Sequence, residues 1–158
     1  MLFHRFRAEF TDGVIDLIPV HVFPSESALG FGHEQTWKIV PHLERREMGR
    51  ICFRSGEGRY IFYYGHIGYH IDPPYRGNHY AWRACRLIAP EIRLSGKSSV
   101  IITCDPENTP SRKTCIKLGC VYEGTVPVPD DIREKYDIGP AKCRYIWIPE
   151  KDLRKTDD

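Results

Sequence analysis

The first half of the chain alternates short apolar stretches with charged, proline-bearing or glycine-rich segments, a pattern typical of β-strands separated by turns. Pro19 lies inside the first stretch and indicates a sheet edge or a bulge, because proline cannot donate a ladder hydrogen bond. Residues 23–35 contain Pro24, Gly30 and Gly32 and predict no regular element. Antiparallel strands are therefore predicted at 13–22, 37–44, 48–54 and 60–71, with the second and third joined as a hairpin.

The second half mixes helix and strand signals. The segment HYAWRACRLIA, residues 79–89, places apolar side chains at helical spacing and predicts the first helix. Pro90 predicts a kink or a short continuation, because proline removes a backbone bond from a helix, and Gly96 ends this element. The run SSVIITC, residues 98–104, predicts a short apolar strand of the kind that is buried inside a sheet.

A second helix is predicted from the start and stop signals around PSRKTCIKLG. Asn108 or Thr109 can cap its beginning, Pro110 suits its first turn, and Gly119 follows its last helical residue. A long, proline-bearing loop then precedes the last strand, and such loops in compact domains are often functional. The final two strands are predicted at 121–126 and 142–148.

These elements predict the order β-β-β-β-α-β-α-β-β in a single domain over residues 1–158. The predicted fold class is α+β, a mixed and mostly antiparallel twisted sheet of about six to seven strands flanked by two main helices. Hydrophobic residues make up 41% and charged residues 28% of the chain, a balance that supports a folded core and predicts no disordered class.

Charge and hydropathy exclude several function classes. The formal net charge is +2, and basic residues are spread along the chain, whereas nucleic-acid binding normally shows a concentrated basic stripe. No apolar run approaches the roughly 20 residues that a membrane span needs. The N-terminal residues show neither the apolar region nor the cleavage site of a signal peptide. We therefore expect a cytoplasmic protein with no nucleic-acid or membrane partner.

The cysteines indicate neither a metal site nor a disulfide framework. None forms a C-x-x-C pair, and no Cys/His pair has zinc-finger spacing, so no metal is predicted. In a cytoplasmic chain six reduced thiols are expected. The six cysteines stand at positions 52, 85, 104, 115, 120 and 143.

The segment IDPPYRGNHYA, from Ile71 to Ala81, joins the fourth strand to the first helix and carries the candidate chemistry. The first N–H groups of that helix lack intrahelical partners and lie at the positive end of its dipole, which suits a phosphate. Gly77 removes a side chain where a diphosphate would approach the backbone, and Arg76 adds a permanent positive charge. A glycine turn with no ligand fits the same residues, so the junction alone leaves both interpretations open.

This segment resembles the pyrophosphate-binding motif Gln/Arg-x-x-Gly-x-Gly/Ala of the GCN5-related N-acetyltransferases. Arg76 takes its first place and Ala81 its last, while His79 replaces the middle glycine. A second segment, NTPSRKTCIKLGC, resembles the Asn-x-x-Ser…Lys-Leu-Gly-Phe helix of the same family, with Asn108 and Ser111 in place. The spacing of the two segments and the final pair of strands also agree with the family order.

The resemblance covers about residues 60–148 and implies acetyl-CoA as co-substrate, with no metal. In the family the strands matching 60–71 and 98–104 splay apart, and the pantetheine arm lies between them. A bulge is common in the first of these strands, and Gly65 and Gly68 fit that expectation. The cofactor-binding residues it implies are His70, Ile71, Arg76, Gly77, Asn78, His79, Tyr80, Ala81, Asn108 and Ser111.

The chain departs from the family at the usual catalytic positions. The tyrosine that donates a proton in many members corresponds to Cys115, and the glutamate base of some members corresponds to Thr103. A thiol matches the basicity of a leaving thiolate, so Cys115 is a candidate donor, although a small core residue on the inner face of the helix is the favoured interpretation. The candidate bases are His66 and His70, which share one strand face if no bulge intervenes, and a water relay is the alternative.

Two main function classes fit these residues. The first is an acetyl-CoA-dependent N-acetyltransferase acting on a small molecule or a protein N-terminus. Asp130, Asp131 and Glu134 in the last loop either attract a cationic amine or form an ordinary solvated surface. The second class is a non-catalytic domain that binds acyl-CoA as a sensor or regulator, which the missing tyrosine and glutamate favour. A plain interaction module without nucleotide ligand is a third interpretation, and an edge strand near the C-terminus is compatible with a homodimer.

Overall fold

The computed structural model describes residues 7–20 and 32–149 of the chain. The strands in these ranges are β1 (Phe10–Thr11), β2 (Ile15–Val20), β3 (Glu34–Pro41), β4 (Gly49–Arg54), β5 (Ile67–Ile71), β6 (Val100–Cys104), β7 (Val121–Pro127) and β8 (Ala141–Trp147). The α-helices are α1 (Arg59–Tyr64), α2 (Tyr80–Leu87), α3 (Ala89–Leu94), α4 (Thr109–Lys117) and α5 (Asp130–Tyr136), and Pro73–Tyr75 forms a 3₁₀ turn. Most of the segment 23–35, predicted to be irregular, lies outside the described residues.

The described strands form one mixed sheet in the order β1-β2-β3-β4-β5-β6-β8-β7. Every neighbouring pair is antiparallel except β5 and β6, which are parallel. The predicted α+β class is therefore confirmed, with eight described strands in place of six to seven. The additional strand is β1, whose two residues are too few to give an alternating pattern.

The predicted hairpin is confirmed, and of the two possibilities predicted at Pro19 the ladder with β3 shows no bulge. β3 and β4 pair from Glu34–Arg54 to Ile39–Gly49. The pairing of β2 with β1 stops at Leu17, so Pro19 lies in a stretch of β2 that β3 alone borders in the described part of the sheet. At that position the missing proline N–H costs the sheet little.

The single strand predicted over 60–71 is wrong in its first half, which folds as α1 before β5 begins. Gly58 and Gly65 bracket α1 with φ of 110° and 82°, backbone values that favour glycine and interrupt a strand. The helix lies against β6, where the Thr103 hydroxyl donates a hydrogen bond to the Tyr63 carbonyl over 3.0 Å. Tertiary contacts thus override the β propensity of a tyrosine-rich run.

The bulge expected in this region is also wrong, because β4 and β5 pair without a register shift from Gly49–Ile71 to Phe53–Ile67. Both glycines instead mark close approaches. A Cβ on Gly65 would lie 3.1 Å from the Ile101 carbonyl oxygen of β6. A Cβ on Gly68 would lie 3.0 Å from a guanidinium nitrogen of Arg54. The close packing at these two positions therefore leaves no room for a side chain, while the ladder between β4 and β5 stays regular.

The long connection between β7 and β8 contains a helix, α5, that the sequence pattern does not predict. Ile132 is its one buried residue, which is too little for a helical periodicity to show. The Tyr136 ring packs 5.1 Å from that of Tyr60 and 5.7 Å from that of Tyr64, measured between centroids. α5 and α1 are therefore neighbours beside β6.

The core lies between the sheet and the helices α2, α3 and α4. The predicted helix signals are confirmed: Pro90 lies in the first turn of α3, Gly96 follows that helix with φ of 86°, and Asn108 caps α4.

All six cysteines carry free thiols. In the described residues no helix has both the length and the apolar character that crossing a membrane requires. The largest fully buried core side chains include Trp37, Ile39, Ile51, Ile67, Ile88, Ile92, Ile102 and Trp147.

Candidate functional site

β5 and β6 diverge almost as soon as they meet. Within residues 7–20 and 32–149 their parallel ladder consists of one pair, Ile67–Ile102. On their other sides both strands are well paired, β5 with β4 and β6 with β8. The sheet therefore opens between β5 and β6, while each of these strands is held firmly by its other neighbour.

A groove of about 730 Å³ runs from the end of β5 past the following turn to the first turns of α2 and α4. It brings together two segments that are far apart in the chain, residues 69–81 and residues 108–117. Both segments line the same groove, and their role in binding a ligand stays a prediction. The lining includes all ten residues predicted to bind the cofactor, namely His70, Ile71, Arg76, Gly77, Asn78, His79, Tyr80, Ala81, Asn108 and Ser111.

The beginning of α2 faces this groove without a side-chain cap. His79, the residue before the helix, has φ of 60° and makes no capping hydrogen bond, and Gly77 has φ of 86°. The beginning of α4 differs, since the Asn108 side chain accepts a hydrogen bond from the Ser111 N–H over 3.3 Å. The first N–H groups of α2 thus present the positive end of a helix dipole to the groove.

The turn before α2 is held by its own polar side chains. Arg76 Nε donates to the Ile71 carbonyl over 2.8 Å, which fixes the guanidinium beside the end of β5. Asn78 Nδ2 donates to the Tyr75 carbonyl over 3.0 Å. A Cβ on Gly77 would meet no atom within 4 Å, so the positive φ, rather than a crowded neighbour, requires glycine at this position.

The charge of the groove is one-sided. Arg76, Lys113 and Lys117 line it, and no carboxylate of a described residue does. Three basic side chains together with uncapped N–H groups favour an extended anion. The groove therefore has the chemistry of a site for a phosphorylated ligand.

A second cavity of about 250 Å³ opens between the diverging strands. It shares Tyr69, Asn108 and Ser111 with the groove, so the two spaces meet at these residues. The hydroxyls of Tyr69 and Ser111 lie 2.8 Å apart. Burial raises the pKa of Tyr69 well above its usual range, with the nearby Cys115 and Cys85 thiols adding to the effect, so its hydroxyl stays protonated at neutral pH.

The sequence pattern does not predict most of the residues that line this second cavity. Arg54 ends β4, Asp105 follows β6 and Lys142 lies in β8. Tyr69 is also at the junction, although its β-prone surroundings suggest only a packing role. The available signal is Gly68, because a glycine inside a regular strand indicates that another group approaches the backbone closely.

Cys115 is fully buried at 0% exposure and lines neither cavity. A hydrogen bond with the Cys120 thiol and burial raise the pKa of Cys115, so the thiol stays protonated. It contacts the Tyr69 hydroxyl and therefore stands behind the junction. The position favours a core residue over a proton donor that touches a substrate.

The two candidate histidines occupy different environments. The His66 ring is 3% exposed, lines neither cavity, and accepts a hydrogen bond at Nδ1 from the Ile101 N–H over 2.9 Å. Burial lowers its pKa. The His70 side chain is 64% exposed and lines the groove, with Nε2 3.4 Å from an Asp72 carboxylate oxygen. The two rings therefore do not meet at one site, and the geometry gives His66 no access to an acceptor.

The acidic residues predicted to attract an amine do not line the second cavity. Asp131 forms an ion pair with Arg59, in which Arg59 Nη2 lies 2.9 Å from a carboxylate oxygen. Asp130 and Glu134 are exposed on α5. Among the described residues no group of three or more histidine, cysteine or acidic side chains is arranged to hold a metal ion.

Comparison with known proteins identifies the family and the fold of the chain that forms this groove. A family model described as "Acetyltransferase (GNAT) domain" matches residues 22–121. The uncharacterized N-acetyltransferase YnaD of Bacillus subtilis (strain 168) is 28% identical over 118 residues, which are 70% of this chain and 68% of that protein.

Two solved structures show the same fold. The acetyltransferase (GNAT family) of Bacillus anthracis has a TM-score of 0.56 at 23% identity, over 73% of this chain and 66% of its own. The microcin C7 self-immunity acetyltransferase MccE, solved in complex with acetyl-CoA and AMP, has a TM-score of 0.56 at 17% identity, over 78% of this chain. The chain spans 63% of the length of MccE, less than two thirds.

Proposed function

The chain belongs to the acetyltransferase (GNAT) family, and from this premise we propose that it transfers an acetyl group from acetyl-CoA to an amine. One observation carries the proposal. The groove combines an uncapped helix start, three cations and no described carboxylate, and it leads between two diverging strands to a second, smaller cavity. A phosphorylated carrier fits the first space and an acceptor fits the second.

The residues present fit acetyl-CoA by their chemistry. The N–H groups at the start of α2 and the Arg76 guanidinium suit the diphosphate, and the positive φ of Gly77 turns the backbone so that these groups face the groove. Main-chain groups near His70 and Ile71, at the open end of β5, suit the amides of the pantetheine arm. Lys113 and Lys117 add positive charge along α4.

The thioester of acetyl-CoA supplies an activated acetyl group, and the chain's own residues position it and handle protons. Tyr69 and Ser111 hold two hydroxyl protons where the two cavities meet, close to where a departing sulfur would need one. Neither group is charged at neutral pH, so positioning supplies most of the expected rate gain. His70, exposed at the edge of the groove, is the proposed base, either directly or through water.

A second function is favoured by one specific observation. The residue at the family's tyrosine position, Cys115, is fully buried and lines neither cavity. A domain that binds acyl-CoA without transferring the acyl group would need no proton donor there. The second candidate is therefore a sensor or regulatory domain that uses the same groove.

Titration calorimetry followed by turnover assays separates these functions. We expect acetyl-CoA to bind and CoA thiol to be released steadily when small amines or peptides with free N-termini are added. Binding without thiol release over the whole panel would support the sensor. No heat and no thermal shift with acetyl-CoA would contradict both functions.

The finer points of this proposal concern acceptor, assembly and location. The acceptor is proposed to be a small molecule or a peptide N-terminus. A homodimer is proposed through β7, the edge strand of the sheet, where Val121 and Tyr122 are exposed. The cytoplasm, where acetyl-CoA is available, is the proposed location. Size-exclusion chromatography with light scattering tests the assembly.

A further inference from the structure

We propose that the chain acetylates its own Lys142, whose side chain lies in the second cavity, where the proposed function places an acceptor. The inference rests on the proposed function, since the acetyl group comes from acetyl-CoA bound in the groove. The modification site is a primary amine that belongs to the fold itself. Any amine that enters the same cavity from solution competes with it.

Lys142 is the lysine of the second cavity. It lies in β8 next to Cys143, the residue that pairs with Cys104 of β6, and 13% of its side chain is exposed. One lysine amine of the described chain thus lies in the space that meets the groove. The other described lysines, at positions 38, 97, 113, 117 and 135, do not line this cavity.

The second cavity is small enough to bring this amine near a bound acetyl group. Its volume of about 250 Å³ corresponds to on the order of eight water molecules at liquid density. It meets the groove at Tyr69, Asn108 and Ser111, where the thioester is proposed to lie. Only a few water diameters therefore separate the Lys142 side chain from the thioester, a span that its flexible stem can cover.

Asp105 holds the Lys142 ammonium group in the cavity by charge. Lys142 Nζ lies 2.8 Å from Asp105 Oδ1, yet this oxygen accepts no hydrogen bond from a described residue. The ion pair therefore keeps the ammonium in place without fixing its direction. The amine remains able to turn from the carboxylate toward the groove.

The chemical step exchanges a thioester for an amide. Lys142 first gives a proton to the Asp105 carboxylate, which passes it to solvent, since 41% of the Asp105 side chain is exposed. The neutral amine then attacks the acetyl carbonyl, so that a C–N bond forms and the C–S bond breaks. The Tyr69 and Ser111 hydroxyls supply a proton to the departing thiolate and regain one from solvent. The net products are acetyl-lysine, CoA thiol and one proton.

Acetylation of Lys142 changes the cavity in two ways. The new amide carries no charge, so the Asp105 carboxylate loses its partner, and the added acetyl group occupies part of a small space. Amines from solution then have less room beside the thioester. We therefore expect self-acetylation to slow the transfer to other acceptors, and a bound acceptor to protect Lys142.

Lys97 is the matched control for this inference. Its side chain is also 13% exposed and also forms an ion pair with a carboxylate, that of Glu57, but it lines neither cavity. Lys97 and Lys142 thus agree in exposure and in the charge of their partner, and they differ in access to the groove. Acetylation by acetyl-CoA from solution has no reason to prefer Lys142, whereas self-acetylation selects it.

The test incubates the purified full chain with acetyl-CoA and no added amine. The affinity for acetyl-CoA is measured first by calorimetry, and acetylated lysines are then located and timed by peptide mass spectrometry. We expect Lys142 to be acetylated about tenfold or more faster than Lys97, because the cavity holds its amine beside the reacting group. The rate should be independent of protein concentration, saturate with acetyl-CoA and fall when excess CoA occupies the groove.

Two variants at position 142 separate the modification from its consequence. Lys142→Arg keeps the charge beside Asp105 and cannot take the acetyl group, because a guanidinium does not lose its proton. We expect this variant to bind acetyl-CoA as the parent does and to lose the fast acetylation, with no other lysine replacing it. Lys142→Gln imitates the uncharged acetyl-lysine, and we expect its kcat/KM for added amines to lie below that of Lys142→Arg.

Several results would overturn the inference while leaving acetyl transfer in place. They are an unmodified Lys142 in a chain that binds acetyl-CoA, equal rates at Lys142 and Lys97, and a Lys142 rate that excess CoA does not reduce. A rate constant that rises with protein concentration would also overturn it, because one molecule would then acetylate another. Failure to bind acetyl-CoA would overturn the proposed function, and this inference with it.

Discussion

Gly77 combines a positive φ of 86° with open space around its Cα, and the groove lies in that space. We expect Gly77→Asp to weaken acetyl-CoA binding about tenfold or more, because a carboxylate a few ångströms from a diphosphate is strongly repelled. Calorimetry of the folded variant measures the effect. Gly96→Asp is the matched control, since Gly96 also has φ of 86° and open surroundings but does not line the groove. Equal losses of affinity in both variants would contradict the diphosphate site.

At this scale the sequence predicts the groove far better than the second cavity. Arg76 and Gly77 can be predicted because a helix start requires neighbouring residues in a fixed order, which a motif records. Arg54 and Lys142 lie in β4 and β8, Asp105 directly follows β6, and the three meet only through the sheet order. A single sequence carries no local signal for such a meeting, apart from Gly68, whose place inside a strand fits a bulge as well as a close approach.

The helix α4 offers a prediction at the scale of an element. Asn108 caps its first turn by accepting the Ser111 N–H, and it borders both cavities. We expect Asn108→Ala to lower the free energy of unfolding by about 1 kcal/mol through the lost cap and to weaken acetyl-CoA binding as well. Urea denaturation and calorimetry measure the two effects. The control is Thr114→Ala on the same helix, which removes an exposed bond to the Pro110 carbonyl and should change stability by less than about 0.5 kcal/mol.

The sequence pattern misses two helices, α1 and α5, which lie against each other. α1 buries Ile61 alone and α5 buries Ile132 alone, so neither shows helical periodicity. Each is stabilised by contacts with residues that are distant in the sequence, such as the contact between the Tyr60 and Tyr136 rings. The elements that pack on the core, α2 and α4, have clear apolar spacing or clear caps and are predicted correctly.

At the scale of the whole molecule, the opening between β5 and β6 has to be held by groups that bridge the two strands near their one shared pair. His66 does this just before β5, because its Nδ1 accepts the N–H of Ile101 in β6. The ring is surrounded by Glu57 on one side, 3.4 Å from Nε2, and by Lys97, which contacts Glu57. Burial lowers the pKa of His66, so the neutral ring is the form that joins the strands.

Protonation of His66 should therefore destabilise the protein in acid. Above the unfolded-state pKa of about 6.5 the ring is neutral in both states and its contribution is fully present. Below that pH the unfolded chain binds a proton that the folded chain does not, so stability falls until the pH passes the lowered pKa of the folded state. His66→Asn keeps an acceptor for the Ile101 N–H but cannot titrate, and we expect its unfolding free energy to fall less between pH 7.5 and pH 5.5 (about one unit either side of that pKa) than that of the parent. His70→Asn, which removes an exposed ring from the same region, should keep the parent slope. Parallel slopes in the parent and in His66→Asn would show that the bridge between the strands does not depend on the neutral ring.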